Sequence, residues 1–204
     1  MPPPVRDGYA DPPLAEEGVV QADLLAKRLA SERLDAIYVT PLTRTQQTAQ
    51  PLVDLTGIAP RLEPDLREVH LGEWEELGLF RQRMHERHPL TLEMITTQRW
   101  DVIPGAESNE GLQARVGSAL ERIAADNPGG RVLAVAHAGV IATAACLATG
   151  SQPFAFITVD NASLSSIVLI GERWILRRFN DTAHLDAPHI IEGMESVDGV
   201  DGAA

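Results

Sequence analysis

Short, continuous apolar runs alternate with longer stretches of helical period along this chain. Residues 36–39 and 132–136 carry no charged position, the pattern of strands buried on both faces. Each run ends abruptly, at Thr40-Pro41 and at His137-Ala138-Gly139, and a helical stretch follows. The spacing predicts further helices over 15–31, over 77–99 with an interruption at Pro89, and over 110–127. The last of these is stopped by Pro128-Gly129-Gly130, and the helix after Pro41 ends near Gly57. Residues 61–68 read as extended. Residues 164–170 and 174–179 flank Gly171-Glu172 and read as a hairpin. Strands alternating with helices predict an α/β fold with a mostly parallel sheet. A strand apolar on both faces, such as 132–136, is expected to have neighbours on both edges.

The breaks carry the chemistry. His137 is placed at the carboxyl end of a buried strand, beside a helix N-terminus. Ligands of open α/β sheets bind at that edge, and helix N-termini favour anions. A phosphate beside His137 is one reading, and a hydrogen-bonded core histidine is the other. Arg44 falls in the first turns of its helix, where a cation opposes the helix dipole. That misfit points the guanidinium toward an anion, with an ordinary surface arginine as the alternative. Glu68 and Glu75 bracket a Gly-Glu-Trp turn that by itself reads as an acidic loop.

Taken together these segments resemble the histidine phosphatase superfamily, the phosphoglycerate mutase-like fold. DPPLAEEG resembles its entry into the first helix, PLTRTQQTA its second-arginine motif and LREVHLGEWE its acid motif. IPGAES resembles its Pro-Gly-Gly-Glu-Ser segment, and VAHAGV its second catalytic histidine. DNAS and FNDTAHL resemble its closing strand pair. The resemblance spans residues 11–185. It implies a three-layer α/β/α fold around a mostly parallel sheet. It further implies that Arg44 and His137 bind a phosphoryl group, and that Glu68 and His137 are catalytic, Glu68 as proton donor. It implies no cofactor and no metal, because arginines and histidines offset the phosphoryl charge. The interval from Gly72 to Pro104 is shorter than the insertion of the mutases, which favours a phosphatase.

One motif of the family is missing from the chain. The nucleophilic histidine belongs to an Arg-His-Gly or Arg-His-Ala at the end of the first strand. Here Arg6-Asp7-Gly8 has aspartate in its place, and Met-Pro-Pro-Pro precedes it. These residues fit the loop before the first helix better. The first strand and the nucleophile are therefore expected to be absent from residues 1–204. His70, two residues from Glu68, lies on the same face of an extended segment and is a candidate substrate contact. Arg81, with Arg83 and Arg87, offers a second anion contact or an ordinary solvated helix face. His85, His88, His184 and His189 carry no role. Two functions follow. One is a phosphomonoester hydrolase working through a phosphohistidine, inactive as written. The other is an inactive member that binds a phosphorylated ligand or a protein.

Composition narrows the partners. A length of 204 residues suits one α/β domain, expected over 1–185. The net charge of −12 argues against nucleic acid and leaves a small phosphorylated metabolite as the expected ligand. Residues 186–204 hold Asp186, Glu192, Glu195, Asp198 and Asp201 without Lys or Arg, and are expected to form an acidic disordered tail. Cys146 is the single cysteine and is expected to be buried. No apolar run reaches membrane-spanning length, and no signal peptide is visible, so a cytoplasmic protein is expected. Lys27 is the single lysine amid many arginines and alanines, the composition of a GC-rich bacterial source. A monomer and a homodimer both remain open.

Overall fold

The computed structural model describes residues 5–171 and 173–185. The predicted tail, His189 and the first four residues lie outside the described residues. The chain opens on a small hairpin, β1 (Val5–Arg6) and β2 (Tyr9–Ala10). Its turn holds Asp7 and Gly8, both at positive φ. Sequence reasoning placed these residues in a loop. The structure pairs them because an Asp-Gly turn matches the twist of a two-residue hairpin.

Helix α1 (Glu16–Leu29) follows, with Glu16 and Glu17 in its first turn and Lys27 and Arg28 in its last. Both ends complement the helix dipole. Strand β3 (Ala36–Val39), helix α2 (Thr43–Thr56) and strand β4 (Pro60–Leu62) form the next unit. Helices α3 (Leu79–His85) and α4 (Pro89–Thr97) replace the single interrupted helix read over 77–99. Pro89 sits in the first turn of α4, where its missing N–H costs nothing. Then come α5 (Asn109–Asp126), β5 (Val132–Val135) and α6 (Ala138–Thr149). The hairpin of β6 (Leu164–Ile170) and β7 (Arg173–Asp181) closes the described chain.

The central sheet is parallel, in the order β4-β3-β5. Alternation along its strands divides the core in two. Ile37 and Val39 join Leu25, Leu29 and Leu52 of α1 and α2, with Leu133 and Val135 alongside. Ala36 and Tyr38 join Leu112, Val116 and Ile123 of α5 and Val140 of α6 on the other face. This is the expected three-layer α/β/α arrangement.

Strand β5 corrects one expectation. Its residues are half-buried, unlike the buried residues of β3. Among the described residues it is the outer strand of the sheet, with β3 on one edge only. The hairpin β6–β7 forms a separate antiparallel sheet against α6. The neighbour expected on one edge, β3, is there, and the half-burial of β5 follows from its having no second neighbour among the described residues.

Candidate active site

The site is built where β3 and β5 end. Val39 and Val135 are register partners, so the residues that follow them emerge side by side. Thr40 leaves β3 fully buried, and its Oγ1 lies 3.0 Å from Nε2 of His137. Oγ1 of Thr45 lies 2.9 Å from the same hydroxyl. His137 is 6 % exposed and is the residue that caps α6 at its N-terminus. Burial, with Arg44 and Arg115 nearby, holds its imidazole pKa well below the ordinary value. The ring is neutral at neutral pH, free to donate through one nitrogen and accept through the other.

Arg44 is the second residue of α2. Its Nη1 donates to the Ala10 carbonyl at 3.0 Å. Burial lowers its pKa, and Glu68, Asp11 and Glu75 oppose that through their charges. The guanidinium therefore stays charged in an acidic surround. Asp11 anchors this corner. Its carboxylate accepts from the Thr43 backbone N–H at 2.6 Å and the Thr43 hydroxyl at 2.8 Å, and pairs with Arg6 at 3.0 Å. A carboxylate thus satisfies the N-terminal donors of α2 and complements its dipole.

Glu68 faces the start of α6. Its Oε1 accepts from the Val69 N–H at 2.9 Å, and the Gly139 backbone N–H also faces the carboxylate. Burial pushes the carboxyl pKa up, and Val69, Arg44, Gly139 and Arg115 pull against that rise. A carboxyl whose pKa is raised by burial holds its proton at higher pH, which suits a general acid.

The segment carrying Glu68 is held from α5. Arg115 donates to the carbonyl oxygens of Asp65 and Arg67, each at 2.7 Å, and of Glu68 at 3.1 Å. It also forms a bidentate pair with Glu107, both contacts at 2.7 Å. The turn after Glu68 docks on Pro104–Ala106, where Leu71 bridges Ala106 and the Glu73 backbone N–H donates to the Pro104 carbonyl at 2.9 Å. Gly72 has φ +57, and a Cβ there would overlap the backbone of Pro104 and Gly105. The acid motif and the IPGAES segment are therefore one packed unit.

The structure brings Arg44, Glu68 and His137 together. His70 packs edge-on to Tyr9 at 5.1 Å, with its Nδ1 accepting from the Gly72 N–H at 3.1 Å. Arg81 is exposed and lines the mouth of a cavity beside Glu68. Arg83 pairs with Glu86, while Arg87 is exposed. Cys146 is buried, as expected. Among the described residues no group of His, Cys, Asp and Glu is placed to hold a metal ion, and no helix is long and apolar enough to cross a membrane.

Sequence reasoning missed Thr40, Asp11 and Arg115. Arg115 had a signal: it lies three residues after Leu112 and one before Val116, at the edge of the apolar stripe of α5. A cation there needs a buried partner.

Comparison with known proteins agrees with this geometry. The sequence model of the histidine phosphatase superfamily (branch 1) matches residues 5–182. The chain is 30% identical over 192 residues to a Yersinia enterocolitica protein named "Probable phosphoglycerate mutase GpmB", covering 91% of this chain and 89% of that one. Among solved structures, YhfR of Bacillus stearothermophilus matches with a TM-score of 0.74 at 26% identity, over 88% of this chain and 90% of its own. A mycobacterial glucosyl-3-phosphoglycerate phosphatase matches with a TM-score of 0.73 at 28% identity, over 85% of this chain and 90% of its own.

Proposed function

The chain belongs to the histidine phosphatase superfamily, and from that membership we propose that its site serves phosphomonoester hydrolysis. The observation that carries this reading is the convergence of Arg44, Glu68 and His137 at the carboxyl ends of β3 and β5. Arg44 supplies charge to the phosphoryl oxygens, and neutral His137 supplies a hydrogen bond. In the two-step route a nucleophilic histidine takes the phosphoryl group as the ester P–O bond breaks and Glu68 gives its proton to the leaving oxygen; Glu68 then takes a proton from the water that displaces that histidine from phosphorus. The net reaction is ester plus water to alcohol plus inorganic phosphate.

Attack on phosphorus by histidine needs a second imidazole beside His137. The contacts of the other described histidines lie elsewhere: His70 packs on Tyr9, His85 is exposed at the end of α3, His88 caps α4, and His184 meets the Ala162 carbonyl. This observation favours a second reading for residues 1–204, that they bind phosphomonoesters without turnover. Two measurements separate the readings. Calorimetry with inorganic phosphate is expected to show binding that Arg44→Ala weakens. Hydrolysis of an aryl phosphate is expected at the level of the blank. Turnover that survives repurification would overturn the binding-only reading and make His70 the first residue to replace. Absence of phosphate binding would overturn both.

A further inference from the structure

We propose that the ester this site accepts carries an apolar leaving group, a hydrocarbon chain or an aromatic ring, seated in a cavity under α3 and α4. The proposal rests on the phosphomonoester reading above and narrows it. It replaces the expectation of any small phosphorylated metabolite with one chemical class.

The cavity has a volume of about 500 Å³ and begins at Glu68, Ala138 and Gly139. Its position follows the chemistry. The acid must touch the leaving oxygen, so the rest of the leaving group lies on the Glu68 side of the phosphoryl group. That side is the cavity. Its wall is made by Phe80 and Met84 of α3, Met94 of α4, Trp100, Phe154 and Ile157. Phe80, Trp100 and Phe154 form a row, with ring centroids 6.2 and 4.9 Å apart. The amide oxygens of the two glutamines in the wall are already engaged. Gln98 donates to the Gln152 side chain at 2.7 Å and accepts from the Phe154 N–H at 3.2 Å.

A leaving group rich in hydroxyls or carboxylates would lose its water against these walls and find few partners. A short polar one would fill little of the space. An apolar chain or ring gains from every methylene it removes from water. Pockets of this size and lining suit such groups. Arg81 stands exposed at the mouth as the cation that could still reward an anionic leaving group. The test therefore includes one.

Residues 1–204 are titrated by calorimetry with hexyl phosphate, glycerol 3-phosphate, 3-phosphoglycerate, inorganic phosphate and 1-hexanol. Hexyl phosphate is expected to bind at least about tenfold more tightly than glycerol 3-phosphate or 3-phosphoglycerate, and with the more negative heat capacity change. Inorganic phosphate is expected to compete with it. The double variant Met84→Gln/Ile95→Asn, at half-buried and exposed positions of the wall, should remove most of that preference and leave inorganic phosphate binding, which does not reach the cavity, unchanged. Equal affinity for the three esters, or preference for 3-phosphoglycerate, would overturn the apolar assignment while phosphate binding stands. Hexanol binding as tightly as hexyl phosphate, without competition by phosphate, would overturn the coupling of cavity to phosphoryl site. If no phosphate compound binds, the phosphomonoester reading fails and this inference fails with it.

Discussion

The carboxylate of Glu68 lies against the backbone of Gly139, so closely that a Cβ on Gly139 would stand 2.7 Å from Glu68 Oε1. The glycine is required here for space, since Glu68 needs the first turn of α6 to face it without a side chain between.

Gly139→Ala is therefore expected to destabilise the fold by about 1–3 kcal/mol, the usual range for overpacking. Glu68→Ala removes the atom that the new methyl meets. The double variant Glu68→Ala/Gly139→Ala should consequently be more stable than the two single effects add to. A thermodynamic cycle from urea unfolding measures that coupling. Strict additivity would show that the contact is not the source of the cost.

His137 and Glu68 should shape the pH dependence of stability in opposite senses. The folded chain holds His137 with a pKa below the ordinary 6.5. Between that lowered value and 6.5 the unfolded chain binds a proton and the folded chain does not, so stability falls as pH drops from 7 toward 5. Inside the window the slope is about 1.4 kcal/mol per pH unit. Glu68 is raised above its ordinary 4.5. Between 4.5 and the raised value the folded chain holds the proton and the unfolded chain does not, so stability grows on acidification. His137→Asn should flatten the fall in Tm from pH 7 to 5, and Glu68→Gln should steepen it. Parallel Tm curves for both variants and the parent would remove these groups from the profile.

Arg115→Ala strands Glu107 and three carbonyl oxygens at once. The side chains of Arg115 and Glu107 are only 13% and 19% exposed. Breaking such a pair from one side costs about 3–5 kcal/mol. Arg115→Lys should recover little, because an ammonium cannot reproduce the bidentate fork and the carbonyl contacts together. Hydrogen exchange should show faster opening of residues 65–69 in both variants. Unchanged exchange there would mean that the segment is held by its docking on Pro104–Ala106 instead.

Arg44→Ala should weaken inorganic phosphate binding by at least about tenfold, the worth of one charge-assisted hydrogen bond. Arg44→Lys should restore only part of it. Calorimetry at fixed ionic strength measures the difference. Equal affinity in parent and Arg44→Ala would take the guanidinium out of the phosphoryl site.

What could be read from residues alone was local. The apolar run before His137 and the break after Val39 place a histidine and an arginine at strand ends, and the structure joins those ends through Thr40. Periodicity located α5 and the break at Pro89 because both are set by neighbours in sequence. The partners of Arg115 lie 47 to 50 positions away for the carbonyls, and Thr40 meets His137 across 97. No local pattern encodes such separations. The cavity was hidden for the same reason. Its walls come from α3, α4, the turn at Trp100 and the loop after α6, each of which reads alone as ordinary apolar packing. The half-buried state of β5 depends on how many strands flank it, which composition does not record.

Arg115 grips its segment by main-chain oxygens, which every residue type possesses. The side chains of Asp65 and Arg67 answer instead to Arg122 and Tyr9. Substitution at 65 or 67 can therefore proceed without shifting the acid that follows. Position 68 is held by a fastening indifferent to the identity of its neighbours, so this loop has latitude to drift in charge and shape around a fixed proton donor.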